Sequence, residues 1–302
     1  MLRLCRPRVD GYPEKREQAV AEWNTLWQSL TPYGIVVENL EPPRTTVVGL
    51  MVGVLVPDDC VDHCVAAPEP YLLSNVARLI SSGRTKAPTI DDIAICNSGD
   101  GSNLLVCYLG WFGQEPSKEP SATIRGLVVN AFSERHGGNR IKLMLGEVGE
   151  HLLDVAIRYG TKVLNDYSAW AAQNGVVGNS DRPYVVGVEK EDGLAGGNFW
   201  IQRMFTYFPP RFLFTASQRE ILLLAREGYT DVEIAQKLEV TTDAIKRRWV
   251  KIYGRVQEVF PALLPSSPEG SRGQEKRRAL LNHLRDRPEE MRPYARRPNV
   301  KG

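Results

Sequence analysis

The sequence has no long apolar run, and its 302 residues include only five cysteines and four histidines. No stretch approaches the ~20 apolar residues that a membrane-spanning helix needs. The first residues are basic but no apolar segment follows them, so we expect no secretory signal. Because the five cysteines are irregularly spaced, they do not suggest a disulfide framework, and we expect reduced thiols in a cytoplasmic protein.

The remaining composition is that of a globular protein. Apolar residues make up 42% of the chain and charged residues 25%, which argues against disorder, collagen-like repeats and a simple coiled coil. A chain of this length buries roughly three quarters of its unfolded surface, so its core needs no metal or disulfide. We expect one large domain or two medium ones.

Charge is distributed unevenly along the chain. The pair Pro209-Pro210 predicts a stiff joint, and residues 211–302 beyond it carry 19 Lys+Arg against 12 Asp+Glu, a net charge of +7. Residues 1–210 carry 19 against 24, a net charge of −5. A basic third joined to an acidic two thirds indicates a polyanionic partner for the C-terminal part, and a solvated basic surface is the alternative.

Capping residues predict three short helices between residues 214 and 256. Residues 215–218 and 230–233 both have the Thr-x-x-Gln/Glu spacing of a capping box, in which each side chain satisfies a backbone N–H of the other residue. Gly228 is placed to end the first helix in a left-handed conformation. Thr241 is placed to cap the third helix.

The third helix has an apolar face and a cationic face. At 100° per residue, four apolar side chains fall within about 60° of one another. They are Ile245, Trp249, Ile252 and Val256. The opposite face and its flanks carry Asp243, Lys246, Arg247, Arg248, Val250, Lys251 and Gly254. Such a helix suits the major groove of duplex DNA, which admits one α-helix.

Three short helices with a four-residue turn before the basic one indicate a helix-turn-helix, and the segment resembles the LuxR/NarL-type DNA-binding domain. The resemblance covers about 43 of the 302 residues. The matching positions are Thr215, Arg219–Ile221, Leu224–Ala225, Glu227–Gly228, Glu233–Ala235, Leu238, Val240–Thr241, Ile245–Lys246 and Ile252–Tyr253.

The resemblance implies a transcriptional regulator that binds double-stranded DNA in a sequence-specific way, without enzymatic activity and without a cofactor. It also implies a homodimer, with RNA polymerase as a further partner. The residues that it places at the DNA are Thr241, Thr242, Lys246, Arg247, Arg248, Val250, Lys251 and Arg255. A sigma-factor-like module and a helical protein-interaction module are the alternatives for this segment.

Three residues depart from the family pattern. Glu239 stands where the family commonly has a turn glycine, and a positive φ there costs a glutamate roughly 1 kcal/mol. Arg248 replaces the usual histidine but keeps a donor for phosphate. Trp249 is larger than the usual aliphatic residue, so we expect different packing beneath the helix.

A basic extension follows from residue 261 to residue 302. Prolines break its first part, and residues 273–286 predict one further helix with leucines on its apolar side. Arg277, Arg278 and Arg285 of that helix are candidates for phosphate contacts. A solvated helix that packs on the DNA-binding domain is the alternative.

Residues 1–208 predict an α+β domain with a mixed or antiparallel sheet flanked by helices, PAS/GAF-like by analogy. We expect it to sense a signal, such as a small-molecule ligand, or to mediate dimerisation. The domains are then 1–208, 211–260 and 261–302. The predicted strands are Gly34–Val37, Thr45–Val56, Ile90–Cys96, Asn103–Phe112, Ile124–Phe132 and Tyr184–Glu189. The predicted helices are Pro13–Leu30, Pro70–Ser81 and Lys142–Gln173.

Two segments of this domain suggest chemistry. Cys60, His63 and Cys64 are weak candidates for a soft metal or for redox sensing, and a simple helix start is favoured over both. Arg135–Arg140, expected between a strand and a helix, resembles the acyl-CoA-binding loop of N-acetyltransferases. An acyltransferase or other enzyme domain tethered to a DNA-binding module is therefore an alternative, although a plain turn is favoured.

Overall fold

The computed structural model describes residues 33–40, 46–111, 119–174, 183–196, 198–265 and 272–295, together with Ala21, Asn24, Trp27 and Gln28. These four single residues are helical, whereas the rest of the helix predicted at Pro13–Leu30 lies outside the described residues. Contacts divide the chain into two compact units. The first comprises residues 1–89, 100–136 and 140–206, and the second comprises residues 90–99, 137–139 and 207–302.

The first unit is built on a six-stranded sheet. Its strands are β1 (Tyr33–Asn39), β2 (Thr46–Val56), β3 (Ser102–Trp111), β4 (Ile141–Gly149), β5 (Lys162–Asp166) and β6 (Pro183–Glu189). They lie in the order β1-β2-β3-β4-β6-β5. All neighbouring pairs are antiparallel except β3 and β4, which are parallel. The sheet is therefore mixed, as expected.

Helices connect these strands and follow the last of them. In chain order they are α1 (Asp58–Val65), α2 (Leu72–Ser81), α3 (Ile90–Ser98), α4 (Glu119–His136), α5 (Glu150–Arg158), α6 (Ser168–Gln173), α7 (Lys190–Ala195) and α8 (Phe199–Phe205). Helix α4 packs closely on β2 because two glycines of that strand make room for it. A Cβ at Gly53 would lie 2.6 Å from Cζ of Phe132, and one at Gly49 would lie 2.6 Å from Cγ2 of Val128.

The coarse prediction of a mixed sheet with helices is confirmed, but three segments were predicted wrongly. Ile90–Cys96 is helical, because the buried residues of α3 are spaced four apart. Ile124–Phe132 lies within α4, where residues 124, 128 and 132 are buried at helical spacing although valine and isoleucine favour strands. Lys142–Gln173 is not one helix, since it contains most of β4, then α5, β5 and α6.

The second unit is helical in the part that follows residue 207. Its helices are α9 (Ala216–Arg226), α10 (Asp231–Lys237), α11 (Thr242–Val259) and α12 (Arg272–Asp286), with 3₁₀ turns at Pro261–Leu263 and Pro288–Met291. Helix α12 confirms the helix predicted at residues 273–286. Leu280 and Leu284 of α12 are fully buried in a core shared with α9, α10 and α11.

Two segments from earlier in the chain belong to this second unit. The Asn97 side chain of α3 donates hydrogen bonds to Oδ1 of Asn139 (3.2 Å) and to the carbonyl oxygen of Pro293 (2.9 Å). The hydroxyl of Tyr207 donates to the carbonyl oxygen of Asn97 (2.7 Å). The domain boundaries given above stay a prediction. Among the described residues, no helix combines the length and the apolar character that crossing a membrane requires.

Candidate nucleic-acid interface

Side-chain caps fix where the three helices α9, α10 and α11 begin. At α9, Thr215 Oγ1 accepts from the backbone N–H of Gln218 (3.3 Å), and Gln218 Oε1 accepts from that of Thr215 (2.9 Å). Thr230 and Glu233 make the same pair of bonds at α10 (3.4 and 2.7 Å). Thr241 Oγ1 accepts a backbone N–H of the first turn of α11. Both predicted capping boxes and the third cap are confirmed.

Left-handed residues end the first two of these helices. Gly228 follows α9 with φ +94°, so its predicted role as a helix terminator is confirmed. Glu239 lies between α10 and α11 with φ +53°. The N–H of Val240 donates to the carbonyl oxygen of Ala235 (3.0 Å), which closes the end of α10 in the Schellman pattern. The chain therefore turns within four residues, Leu238 to Thr241, before α11 begins.

The apolar face of α11 is buried as predicted. Ile245, Ile252 and Val256 are fully buried, and Trp249 is 5% exposed. These side chains pack into the core formed with α9, α10 and α12. Burial of a large apolar side chain contributes about 1.5–3 kcal/mol, so this face fixes the rotation of α11 about its own axis and determines which residues face solvent.

Trp249 is held by a polar brace. Its Nε1–H donates to Oδ1 of Asp231 (3.1 Å), and Nη1 of Arg277 donates to the same oxygen (2.8 Å). The Arg277 guanidinium carbon lies 4.9 Å from the centroid of the indole ring, while its Nη2 donates to the carbonyl oxygen of Tyr229 (2.8 Å). This brace was not predicted from the sequence. The enlarged residue Trp249 and an aspartate in the first turn of α10 were the signals that could have indicated it.

The opposite face of α11 is exposed and cationic. Lys246, Arg247, Lys251 and Gly254 are exposed, and Val250 is 71% exposed. Lys246 Nζ lies 3.5 Å from Oδ1 of Asp243, one turn before it. A Cβ at Gly254 would meet no atom within 4 Å, so the protein's own packing does not require a glycine there.

The other residues that were expected at the DNA lie at the edges of this face. Thr241 is exposed at the start of α11, and Thr242 and Arg248 are half-buried. Arg255 is turned towards its own unit, where Nε donates to the carbonyl oxygen of Phe212 (2.7 Å) and Nη1 donates to Oε2 of Glu258 (3.0 Å). These two bonds engage the guanidinium that the sequence analysis placed at the DNA.

The exposed face of α11 combines positive charges with one apolar side chain. We name Lys246, Arg247, Val250 and Lys251 the recognition face. Models of known protein families, curated proteins and solved structures give no match to this chain. Chemically, the recognition face offers hydrogen-bond donors of fixed positive charge, which suit phosphate oxygens and the acceptor atoms of guanine.

The structure brings two of the three candidate metal ligands of the first unit together and leaves the third apart. Cys60 and Cys64 are buried in the core against the sheet, whereas His63 is exposed and its Nδ1 lies 2.6 Å from the carbonyl oxygen of Asp59. The hydrogen bond between the two thiols, together with burial, raises the pKa of Cys60, whereas the same bond lowers the pKa of Cys64, so the pair disfavours the two simultaneous thiolates that a soft metal would need. No cluster of three or more His, Cys, Asp or Glu side chains suited to a metal occurs in the described ranges.

The loop Arg135–Arg140 is not the connection that the acyltransferase alternative requires. Its first two residues are the last two of α4 and its last residue precedes β4, so the segment joins a helix to a strand rather than a strand to a helix. Gly138 has φ +82°, and a Cβ there would collide with the backbone of Pro288 and Glu289. Protein backbone therefore occupies the space beside this glycine.

Proposed function

We propose that the protein is a sequence-specific DNA-binding transcriptional regulator of the LuxR/NarL type, with α10 and α11 as its helix-turn-helix. The observation that carries the proposal is the orientation of α11. Its apolar face is buried and braced through Trp249, and this packing leaves the recognition face exposed. A single helix with such a surface fits the major groove, where base edges are accessible.

Each exposed side chain suits a particular part of the duplex. The Arg247 guanidinium can donate two hydrogen bonds to O6 and N7 of one guanine, and the exposed Val250 can contact a thymine methyl group. Lys246 and Lys251 can contact guanine or the flanking phosphates. Thr241 at the N-terminus of α11 lies where phosphates bind backbone N–H groups. Phosphate contacts supply affinity, and base contacts supply specificity.

The strand-bearing first unit is assigned, under the same proposal, to signal sensing or dimerisation in a cytoplasmic regulator. Its mixed sheet with helices is compatible with a PAS/GAF-like sensor of a small molecule. A homodimer would contact two half-sites about 34–36 Å apart, which is one helical turn of DNA. The mass of the complex on a duplex that carries two half-sites tests the dimer, and transcription in vitro tests RNA polymerase as a partner.

The recognition face is tested by removing two of its positive side chains. A duplex is first selected from a random-sequence pool with the full-length protein. We expect Arg247→Ala with Lys251→Ala to weaken binding to that duplex by roughly 2–5 kcal/mol, from contacts of about 1–3 kcal/mol each. Binding to a random-sequence duplex is expected to weaken less, because no base contact is lost there. Both affinities are measured at fixed salt.

The matched control is Arg84→Ala with Lys86→Ala, which removes two exposed positive charges from the first unit. We expect this control to leave the preference for the selected duplex unchanged. Unchanged preference in the recognition-face variant, with its thermal unfolding intact, would refute the assignment of this face. A protein that retains no duplex in any salt concentration would instead favour the helical protein-interaction module.

A further inference from the structure

A groove lined by four arginines lies beside the three helices of the proposed DNA-binding site. It has a volume of about 410 Å³ and runs between the last turn of α9 and the outer side of α12. Ala225 and Leu281 form apolar parts of its wall. The polar and charged lining residues are Arg226, Gln274, Arg277, Arg278, Asn282 and Arg285. Among the described residues, no acidic side chain contributes to this lining.

The four arginines are not equally available to a ligand. Arg277 is engaged with Asp231 and Tyr229, so it forms part of the wall. Arg226, Arg278 and Arg285 are exposed. Within the described residues, Arg278 and Arg285 make no ion pair or side-chain hydrogen bond. Two guanidinium groups thus line the groove without a neutralising partner from the described part of the chain.

We propose that this groove, which we name the arginine groove, binds phosphates of the DNA backbone next to the base pairs contacted by the recognition face. The inference rests on the proposed function and adds a second contact surface to it. Guanidinium groups donate paired hydrogen bonds to phosphate oxygens, and lining residues that, as far as the structure describes them, carry no carboxylate suit a polyanion. The contacts of this groove carry no base preference.

The positions of the arginines favour a run of phosphates over a single anion. Arg278 and Arg285 are two turns apart on α12, which is about 10.5 Å along the helix axis. Successive phosphates of one strand advance about 3.4 Å along the duplex axis. Along the duplex axis this separation equals about three nucleotide steps, so each of the two arginines would contact a phosphate of its own.

The groove is also connected to the recognition helix. The hydroxyl of Tyr253 on α11 donates to the carbonyl oxygen of Gly273 (3.5 Å), and Gln274, the next residue, lines the groove. Tyr253 is adjacent in sequence to Gly254, which lies on the exposed side of α11. One helix therefore carries the recognition face and also contacts the first turn of α12, where the groove begins.

The test compares three full-length variants on the selected duplex and on a random-sequence duplex. Arg278→Ala with Arg285→Ala should reduce the slope of log affinity against log salt by about 1.8, because two phosphate contacts are lost. At 0.1 M salt, relative to 1 M salt, the same change of slope corresponds to a loss of about 60-fold in affinity. The loss should be equal on both duplexes, so the preference for the selected duplex stays that of the wild type.

Two control variants separate this effect from loss of charge or fold. Arg278→Lys with Arg285→Lys should keep most of the salt slope, since the charges remain. Arg84→Ala with Lys86→Ala removes the same charge from the first unit and should leave the slope unchanged. A groove variant that unfolds like the wild type and keeps the wild-type slope would overturn the inference.

The outcomes also distinguish this inference from the proposed function. If the recognition-face variant loses its sequence preference while the groove variant keeps the salt slope, only the inference about the groove fails. If neither variant changes binding, the proposed function fails as well. A thermal shift of the wild-type protein by inorganic pyrophosphate that requires Arg278 and Arg285, with an unchanged salt slope on DNA, would overturn the inference and identify a site for a small phosphorylated anion.

Discussion

Glu239 is a charged residue in a conformation that favours glycine. With φ +53° it joins α10 to α11, and its side chain is exposed. A left-handed conformation costs an L-residue other than glycine roughly 1–2 kcal/mol because Cβ approaches the following carbonyl oxygen. The buried faces of the two helices hold this turn in place, so the strain is stored at the start of the recognition helix.

We predict that Glu239→Gly stabilises the protein. The substitution removes the contact of Cβ with the carbonyl oxygen but increases the entropy of the unfolded chain, so we expect a gain of up to about 1 kcal/mol in the free energy of unfolding. Urea denaturation followed by circular dichroism measures it. Glu239→Ala is the control, because it removes the carboxylate and keeps Cβ. Equal stability of the two variants would show that strain at this residue does not matter.

Some arginines of the second unit are exposed, whereas others are hydrogen-bonded within the protein. The sequence alone does not show which are which. The family resemblance implies that both Arg247 and Arg255 lie at the DNA. Arg247 is exposed, whereas Arg255 donates to Phe212 and Glu258. Helical periodicity places Arg255 to the side of the exposed face, but the acceptor that holds it precedes α9 and lies 43 residues away. Only tertiary structure brings these two groups together.

At the scale of elements, one buried glutamate forms hydrogen bonds that link the segment before α9 to the turn that follows α12. Oε1 and Oε2 of Glu290 accept hydrogen bonds from the backbone N–H groups of Arg211 and Phe212, each at 2.9 Å. Burial raises the pKa of this carboxyl above its usual 4.5, and the effect of burial outweighs those hydrogen bonds. The folded protein therefore holds this proton to a higher pH than the unfolded chain does.

This raised pKa predicts how the contribution of Glu290 depends on pH. The protonated carboxyl of Glu290 contributes to the free energy of unfolding, and this contribution is fully present below pH 4.5. It decreases as the pH rises through the folded-state pKa, because the unfolded chain releases the proton at a lower pH than the folded protein does. Glu290→Gln does not titrate, so its deficit in unfolding free energy relative to the wild type should become smaller between pH 4 and pH 7. Urea denaturation at several pH values measures the deficit. A deficit that stays constant or increases contradicts the prediction.

Elements with local signals were predicted well, and elements whose signals conflict were not. Thr215, Thr230 and Thr241 marked the helix starts because capping is decided within four residues. The order of strands in the sheet has no such local signal. In α4, one isoleucine and two valines suggested a strand, but burial of Ile124 and Val128 against Gly49 of β2 selects a helix. Tertiary packing overrode local preference there.

At the scale of the whole molecule, the second unit is assembled from three separate segments of the chain. Besides residues 207–302, it includes α3 and the turn 137–139. The carbonyl oxygen of Gly137 accepts from Nε of Arg292 (2.9 Å), and the N–H of Ala295 donates to the carbonyl oxygen of Ala94 (3.1 Å). Such long-range contacts leave no periodic pattern in the sequence, which is why the predicted domains are consecutive segments of the chain.

Gly138 is packed so closely in the second unit that a side chain does not fit there. It has φ +82°, and a Cβ there would collide with the backbone of Pro288 and Glu289. We predict that Gly138→Ala lowers the free energy of unfolding by about 2–5 kcal/mol, from about 1–2 kcal/mol of backbone strain and about 1–3 kcal/mol of overpacking. Urea denaturation followed by circular dichroism measures the loss.

Gly228→Ala is the matched control within the same unit. Gly228 has φ +94°, but a Cβ there would meet no atom within 4 Å, so the control adds backbone strain without a collision. We expect it to lose only about 1–2 kcal/mol. The difference between the two variants measures how tightly the turn 137–139 is packed against the segment after α12. Equal losses would mean that this turn moves aside at little cost and that residues 207–302 do not depend on it for their stability.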